Sequence, residues 1–375
     1  MVQKISVYVR SKDTCPSAYY RLLQYLKEIK KNDTNIKVRT LLPPSIYKWY
    51  QNQKKNNQIS KVLIEGIVYI IMVLRTSIFL FSDSFIYFPK IVIIQREVTP
   101  RYIPFIHYHL LRYLAKRRKL LWDFDDNIFE SKEISVKERS LLINYSSSII
   151  VISEYLKLLL PHKIHPKVIL MPTTDGDMQN EDQKDLEKRR NVTYQQELRL
   201  IWVGTSGNLR YLHHIMNALD EASLLIKQRN NKQLILTVVC NKPLICNVQN
   251  LHIVNITWNK KIAIEEMKNA HVGIMPLIND TFALGKGGFK LIQYFSIGLP
   301  VIASAVGFNK EILNKHSGYL IDDLYSTSGW VKALLLYASD WETYSKKGNH
   351  AYSHWISNFS YKKNLEKWTY LLHNT

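Results

Sequence analysis

A chain of 375 residues, 46% hydrophobic and 22% charged, is long enough for two domains and too apolar to be disordered. Its net charge of +20 is uneven, +13 over residues 1–180 and +7 over the rest, which favours anionic partners (nucleic acid, anionic lipid or phosphorylated substrates) without choosing among them. Three cysteines, Cys15, Cys240 and Cys246, show neither metal spacing nor a disulfide framework, and residues 1–6 hold no apolar core of signal length, so the expectation is a cytoplasmic protein.

The chain opens on an apolar strand, ISVYVR. Pro16 and Ser17 then start a helix with Tyr19, Leu22, Leu23 and Leu26 on its apolar face. IKVRTLLPP reads as the second strand, and residues 51–61 as polar loop or helix start. Residues 62–81, VLIEGIVYIIMVLRTSIFLF, are nearly apolar enough to span a membrane, which takes about 20 such residues. Glu65, Arg75 and Asp83 break the run, so it reads as a buried or interfacial helix. IVIIQ is a strand ending in Arg96 and Glu97, at the carboxyl end where parallel sheets place ligands. Residues 108–119 form a helix with a basic end, Arg112, Lys116, Arg117, Arg118 and Lys119. LLWDFDDNIFE follows as a strand and an acidic turn. Asp123, Asp125 and Asp126 in that turn stand open among three roles: a capped turn, an acceptor contact in a cleft, or a metal pair. SSIIVISEYLKLLL is a strand and helix capped by Ser153, and KVILMPTTD closes the first domain at Asp175.

Residues 177–198 are polar and highly charged and read as an interdomain linker. RLIWVG then begins a second domain, with a loop of Gly204, Thr205, Ser206 and Gly207 between a strand and a helix. It lacks G-x-G-x-x-G, so a nicotinamide-type fingerprint is excluded. The densest signal lies in residues 269–313, which hold six of the thirteen glycines. VGIMPL is a buried strand, NDTFALGKGG a glycine-rich loop, FKLIQYFSIG a helix, and LPVIASAV a second buried strand. The helix opens at Phe289, just after Gly287 and Gly288. Its free amides and dipole make an anion site, and Lys286 and Lys290 add positive charge, so a bound phosphate is expected there.

The run VGIMPL, GKGGFKLIQYFSIGLPVIAS and GFNKEI resembles the C-terminal signature of the retaining glycosyltransferases of family 4. The resemblance implies an α/β, GT-B fold: two Rossmann-like domains facing each other across a cleft. It implies an acceptor domain at 1–176, a linker at 177–198, a nucleotide-sugar donor domain at 199–355, and a last helix, 356–375, crossing back to the first domain. The family pattern has two glutamates eight positions apart; this sequence has Gly285 and Gln293 there. It often has an Arg and a Lys in the first glycine loop, where Thr205 and Arg210 stand. By this likeness Gly204, Thr205, Ser206, Gly207, Lys286, Gly287, Gly288, Phe289 and Gln293 hold the donor and Trp258 meets its base. Lys290, Arg210 and Asp126 are the expected catalytic residues. PSAYYRLLQYL resembles a helix that faces the acceptor and WDFDD a segment in the family's cleft, so Ser17, Arg21 and Asp125, with Arg96 at its strand's carboxyl end, make the expected acceptor set.

The chemistry expected is transfer from a nucleotide-diphosphate sugar to a glycan or lipid-linked acceptor in cell-surface polysaccharide synthesis. Cations and backbone amides, rather than a metal or another cofactor, stabilise the leaving diphosphate. The basic first domain and the apolar 62–81 segment point to an anionic membrane surface on the cytoplasmic face. The alternatives are an epimerase on the same fold, a non-catalytic homologue lacking the glutamates, and a nucleic-acid-binding protein. The last would need an aromatic-basic platform or a known motif, and the sequence has neither, so no nucleic-acid partner is expected.

Overall fold

The structure, a computed structural model, describes residues 2–12, 15–30, 34–53, 58–130, 133–322 and 326–373. It divides into two units, Met1–Thr173 with Asn364–Thr375, and Thr174–Lys363.

The first unit is built on a parallel sheet of β1 (Gln3–Val9), β2 (Thr34–Thr40), β3 (Ile91–Gln95), β4 (Lys119–Phe124), β5 (Ser148–Val151) and β6 (Val168–Leu170). The strand order is β2-β1-β3-β4-β5-β6. β3 and β4 are apolar almost throughout because both of their faces are covered, as parallel strands require. The order reverses between β1 and β3, and a ligand crevice in such a sheet lies beyond the carboxyl ends of the strands at that point. The helix Gln58–Ser82 buries Val68, Met72 and Leu80 against the core, together with Leu111 and Leu114 of the helix Phe105–Arg117. The polar stretch 51–61 falls partly outside the described residues. The end of the chain belongs to this unit from Asn364 onward. Trp368 of the helix Tyr361–His373 is buried and donates its indole N–H to the carbonyl of Arg21 (3.0 Å), and Asn364 donates to that of Pro172 (2.6 Å).

The second unit has the parallel strands β7 (Glu197–Val203), β8 (Gln233–Cys240), β9 (His252–Thr257), β10 (Val272–Met275), β11 (Val301–Ser304) and β12 (Gly318–Ile321). Their order is β12-β11-β10-β7-β8-β9, a Rossmann arrangement that reverses between β7 and β10. Close packing onto β10 depends on Gly273. A Cβ there would lie 2.3 Å from the ring of Tyr294, so the helix Phe289–Ser296 seats its buried face where only glycine fits.

Residues 177–198, expected as an interdomain linker, fall within the second unit. They contain the helix Gln183–Tyr194, capped by Asp182, which buries Leu186, Arg190 and Tyr194 in the second unit. The charge-rich sequence hides this because one of the buried positions is an arginine. Arg190 donates through Nη1 to the carbonyl of Ile297 (3.0 Å) and through Nε to that of Lys268 (3.1 Å), so backbone carbonyls take up two of its guanidinium nitrogens inside the protein.

Candidate active site

The two glycine loops lie at the switch point of the second unit, one after β7 and the other after β10. Thr205 Oγ1 accepts from Asn208 (3.2 Å), while Ser206 is held through both its backbone N–H (2.8 Å) and its hydroxyl by Asn241. Arg210 reaches across to the second loop, donating to Asp280 Oδ2 (3.0 Å) and to the Tyr211 hydroxyl (2.8 Å). The other oxygen of Asp280 caps the short helix Thr281–Leu284 through the Ala283 amide (2.6 Å). Lys286 spans the gap in the opposite sense and donates to Asn208 Oδ1 (2.7 Å). The loops are therefore tied together by Arg210–Asp280 and Lys286–Asn208, and cationic nitrogens sit where an anion would lie.

Gly288 sets the entry to the helix Phe289–Ser296. Its φ of +55° is left-handed, and a Cβ would lie 2.3 Å from Ile312 Cδ1. A helix leaves its first amides without partners of its own, and Lys290 stands in that first turn. Lys290 Nζ donates to Gln293 Oε1 (3.0 Å), and Gln293 Nε2 donates to Asp175 Oδ2 (2.7 Å). Burial pulls the Lys290 ammonium down to about 8, with the Asp175 charge acting the other way.

Two expectations change here. Gln293, expected to hold the donor directly, is buried, and both ends of its amide are used within the unit, so in this structure it braces Lys290. Arg210 is half-exposed and ion-paired with Asp280, whereas Lys290 is held by Gln293, so in this structure the two expected catalytic cations bind different partners. Trp258, the residue expected to meet the base, follows β9 at the carboxyl edge, two strands from β7, and is 50% exposed. Asp280, Asn208 and Asp175 are the residues that sequence reasoning missed here. Their partners are 70, 78 and 118 positions away, so no local pattern announces them.

In the first unit, residues following β1, β3 and β4 build a charged network at the switch point. Arg10 binds Glu97 and also Glu133 (3.0 Å). Arg96 binds Asp125 (3.0 Å), Asp126 and Glu133 (3.0 Å). Ser17 donates to Asp125 (2.6 Å) and accepts from Gln95 (2.7 Å). Arg96 is held at a φ of +66°, a strained conformation for a side chain of its size, and its carbonyl accepts from the Trp122 indole (2.7 Å). Burial pushes the Asp125 carboxyl up, but Arg96 and Arg21 outweigh it and hold the group below the usual range. Asp126 is the most exposed member, with 54% of its side chain open.

Arg21 departs from the acceptor set. It is 2% exposed and ion-paired with the fully buried Asp123, and it also donates to the Met171 carbonyl. It holds the sheet together beneath the network. The same pairing removes Asp123 from an Asp-x-Asp metal pair, since Arg21 claims its oxygens and Arg96 and Ser17 claim those of Asp125. Among the described residues no group of three or more His, Cys, Asp or Glu is placed to hold a metal. Beside the network lies a cavity of about 400 Å³. Arg10, Glu133, Tyr47, Tyr50 and Tyr69 give it polar and aromatic walls, and Leu42, Val68 and Met72 an apolar one. Arg10 and Glu133 were also missed by sequence reasoning.

A comparison with curated proteins gives no match. Solved structures of similar shape are numerous. A glycosyltransferase from Rickettsia africae ESF-5 is 16% identical, with 100% of this chain and 99% of that one covered at a TM-score of 0.61. HepE of Anabaena, solved with UDP and glucose, is 11% identical, with 100% of each chain covered at 0.63. An α,α-trehalose 6-phosphate synthase from Burkholderia multivorans is 10% identical, with 100% and 97% covered at 0.64. At these identities the likeness establishes the fold. Residues 197–340 match the family model described as glycosyl transferases group 1, and that stretch holds both glycine loops, Arg210, Lys286 and Lys290. Residues 197–340 are thus similar to the glycosyl transferases of group 1, and the chain as a whole has the GT-B fold of two Rossmann-like domains.

Proposed function

We propose that this protein transfers a sugar from a UDP-sugar to a hydroxyl of a glycan or lipid-linked acceptor, with retention at the anomeric carbon, in the assembly of a cell-surface polysaccharide. The observation that carries the reading is the convergence of the two glycine loops at the β7/β10 switch point, with Arg210, Lys286 and Lys290 beside them. UDP is the diphosphate chosen because HepE, of the same fold, is solved with it. In the transfer the bond from the anomeric carbon to the β-phosphate oxygen breaks, and its electrons stay on that oxygen. Lys290, Lys286 and the amides opening the helix at Phe289 stabilise the charge that develops. The acceptor oxygen bonds to the same carbon, and its proton passes to the departing phosphate. Arg210 joins the diphosphate by exchanging Asp280 for it, an exchange open to a half-exposed side chain. The cavity beside Arg10 and Glu133 has a polar end and an apolar wall, which suits an acceptor with a sugar or phosphate head and a lipid tail.

A melting-shift screen against nucleoside diphosphates tests the donor assignment. UDP at about 100 times its dissociation constant should stabilise the protein by about 2.7 kcal/mol, while uridine should leave it unchanged. No shift with any nucleoside diphosphate would remove the assignment. Transfer from a UDP-sugar should also persist in a chelator, because the cations at the loops belong to the chain. Activity that disappears with chelator and returns with manganese would overturn the metal-free mechanism.

A further inference from the structure

The helix Gln58–Ser82 presents an apolar stripe that nothing in the first unit covers. Leu63, Ile67, Ile70, Leu74, Ile78 and Phe81 are exposed at spacings of three and four, one face of a helix. The stripe from Leu63 to Phe81 is about 27 Å long at 1.5 Å per residue. It continues through Phe85, 5.6 Å from the Tyr113 ring on the neighbouring helix, and through Ile86 and Phe88, which are also exposed. By length and composition Val62–Tyr87 is apolar enough to cross a membrane, with a mean hydropathy of 2.0.

The opposite face excludes a crossing. Val68, Met72 and Leu80 lie in the core of the first unit. Thr76 donates to the Val98 carbonyl (3.3 Å), and Arg75 to that of Thr40 (3.0 Å). A helix fixed along one side to a soluble sheet can only lie flat, with its free side in an apolar medium. The charge around it selects that medium. Residues 58–118 contain nine basic residues and three acidic ones. Of the acidic three, Asp83 and Glu97 are buried and Glu65 is paired with Arg101. Arg117 lies over the Tyr113 ring and Arg118 over that of Phe88, which puts guanidinium groups at the margin of the stripe. A second copy of the chain would bring the same positive margin, whereas a bilayer with anionic head groups complements it.

We propose that this face docks in the plane of an anionic lipid bilayer, with the stripe below the head groups and Lys116, Arg117 and Arg118 among them. Docking needs neither donor nor acceptor, so its failure would leave the transfer reading standing. The test is co-sedimentation of the full chain with phosphatidylcholine vesicles, with and without phosphatidylglycerol, at low and high salt. Binding should require phosphatidylglycerol and weaken as salt rises. Ile70→Asp with Leu74→Asp should lower partitioning about tenfold or more, while the melting temperature and UDP binding stay unchanged. Lys116→Glu with Arg117→Glu should remove the salt-dependent part alone. Absence of binding at low salt, or equal binding by the Ile70→Asp, Leu74→Asp protein, would overturn the proposal. So would a lipid-free dimer that those two substitutions abolish, because the stripe would then belong to a second copy.

Discussion

Lys290→Ala should lower turnover by about 10²–10³, the effect of removing one preorganised donor from a developing charge. It should do so without weakening the fold. Burial draws the ammonium down to about 8, so folding favours the neutral form, and below that pH the charged lysine is a strain on the native state. Its removal at neutral pH therefore should not lower the melting temperature. The same shift sets the pH dependence. Lys290 is charged below about 8 and loses its proton as pH rises through that value, so UDP should bind more weakly on the alkaline side. The alanine variant should lack this alkaline loss. Full activity in Lys290→Ala, or a fall in melting temperature that accounts for the lost activity, would contradict the role.

Arg21→Ala should destabilise the first domain by about 3–5 kcal/mol, because it leaves Asp123 buried without its cation and the Met171 carbonyl without its donor. At about 2–4 °C for each kcal/mol in a domain of this size, the melting temperature should drop by roughly 6–20 °C. Ser17→Ala, which removes one hydrogen bond to Asp125, should shift it far less. A stable Arg21→Ala protein with a raised KM for acceptor would return Arg21 to the acceptor set.

Arg21 and Arg96 show how far the sequence could be read. Both stand in motifs that suggest a ligand, and both are arginines beside apolar runs. One is buried against Asp123 and the other lies in the switch-point network, a difference decided by which acidic residue the sheet brings beneath each. The twelve strands among the described residues are mostly legible because central parallel strands must be apolar on both faces. The second glycine loop is legible because its requirements are local: Gly288 for a left-handed turn, then a helix with Lys290 in its first turn.

What escaped is non-local. Glu133 meets Arg10 across 123 positions, and Asp280 meets Arg210 across 70. The helix Gln183–Tyr194 was masked by its charges, since Arg190 buries a guanidinium among backbone carbonyls. The helix Gln58–Ser82 is apolar on most of its circumference, so its pattern could not say which face would be left uncovered.

The central claim is that the loops after β7 and β10 hold the diphosphate of a nucleotide sugar. Calorimetric titration of UDP, UMP and uridine into the wild-type and Lys290→Ala proteins tests it most directly. Wild-type affinity should fall from UDP to UMP to uridine, and Lys290→Ala should lose most of the advantage of UDP over UMP. Equal affinity for UDP and uridine in the wild type, or an unchanged preference for UDP in Lys290→Ala, would contradict it.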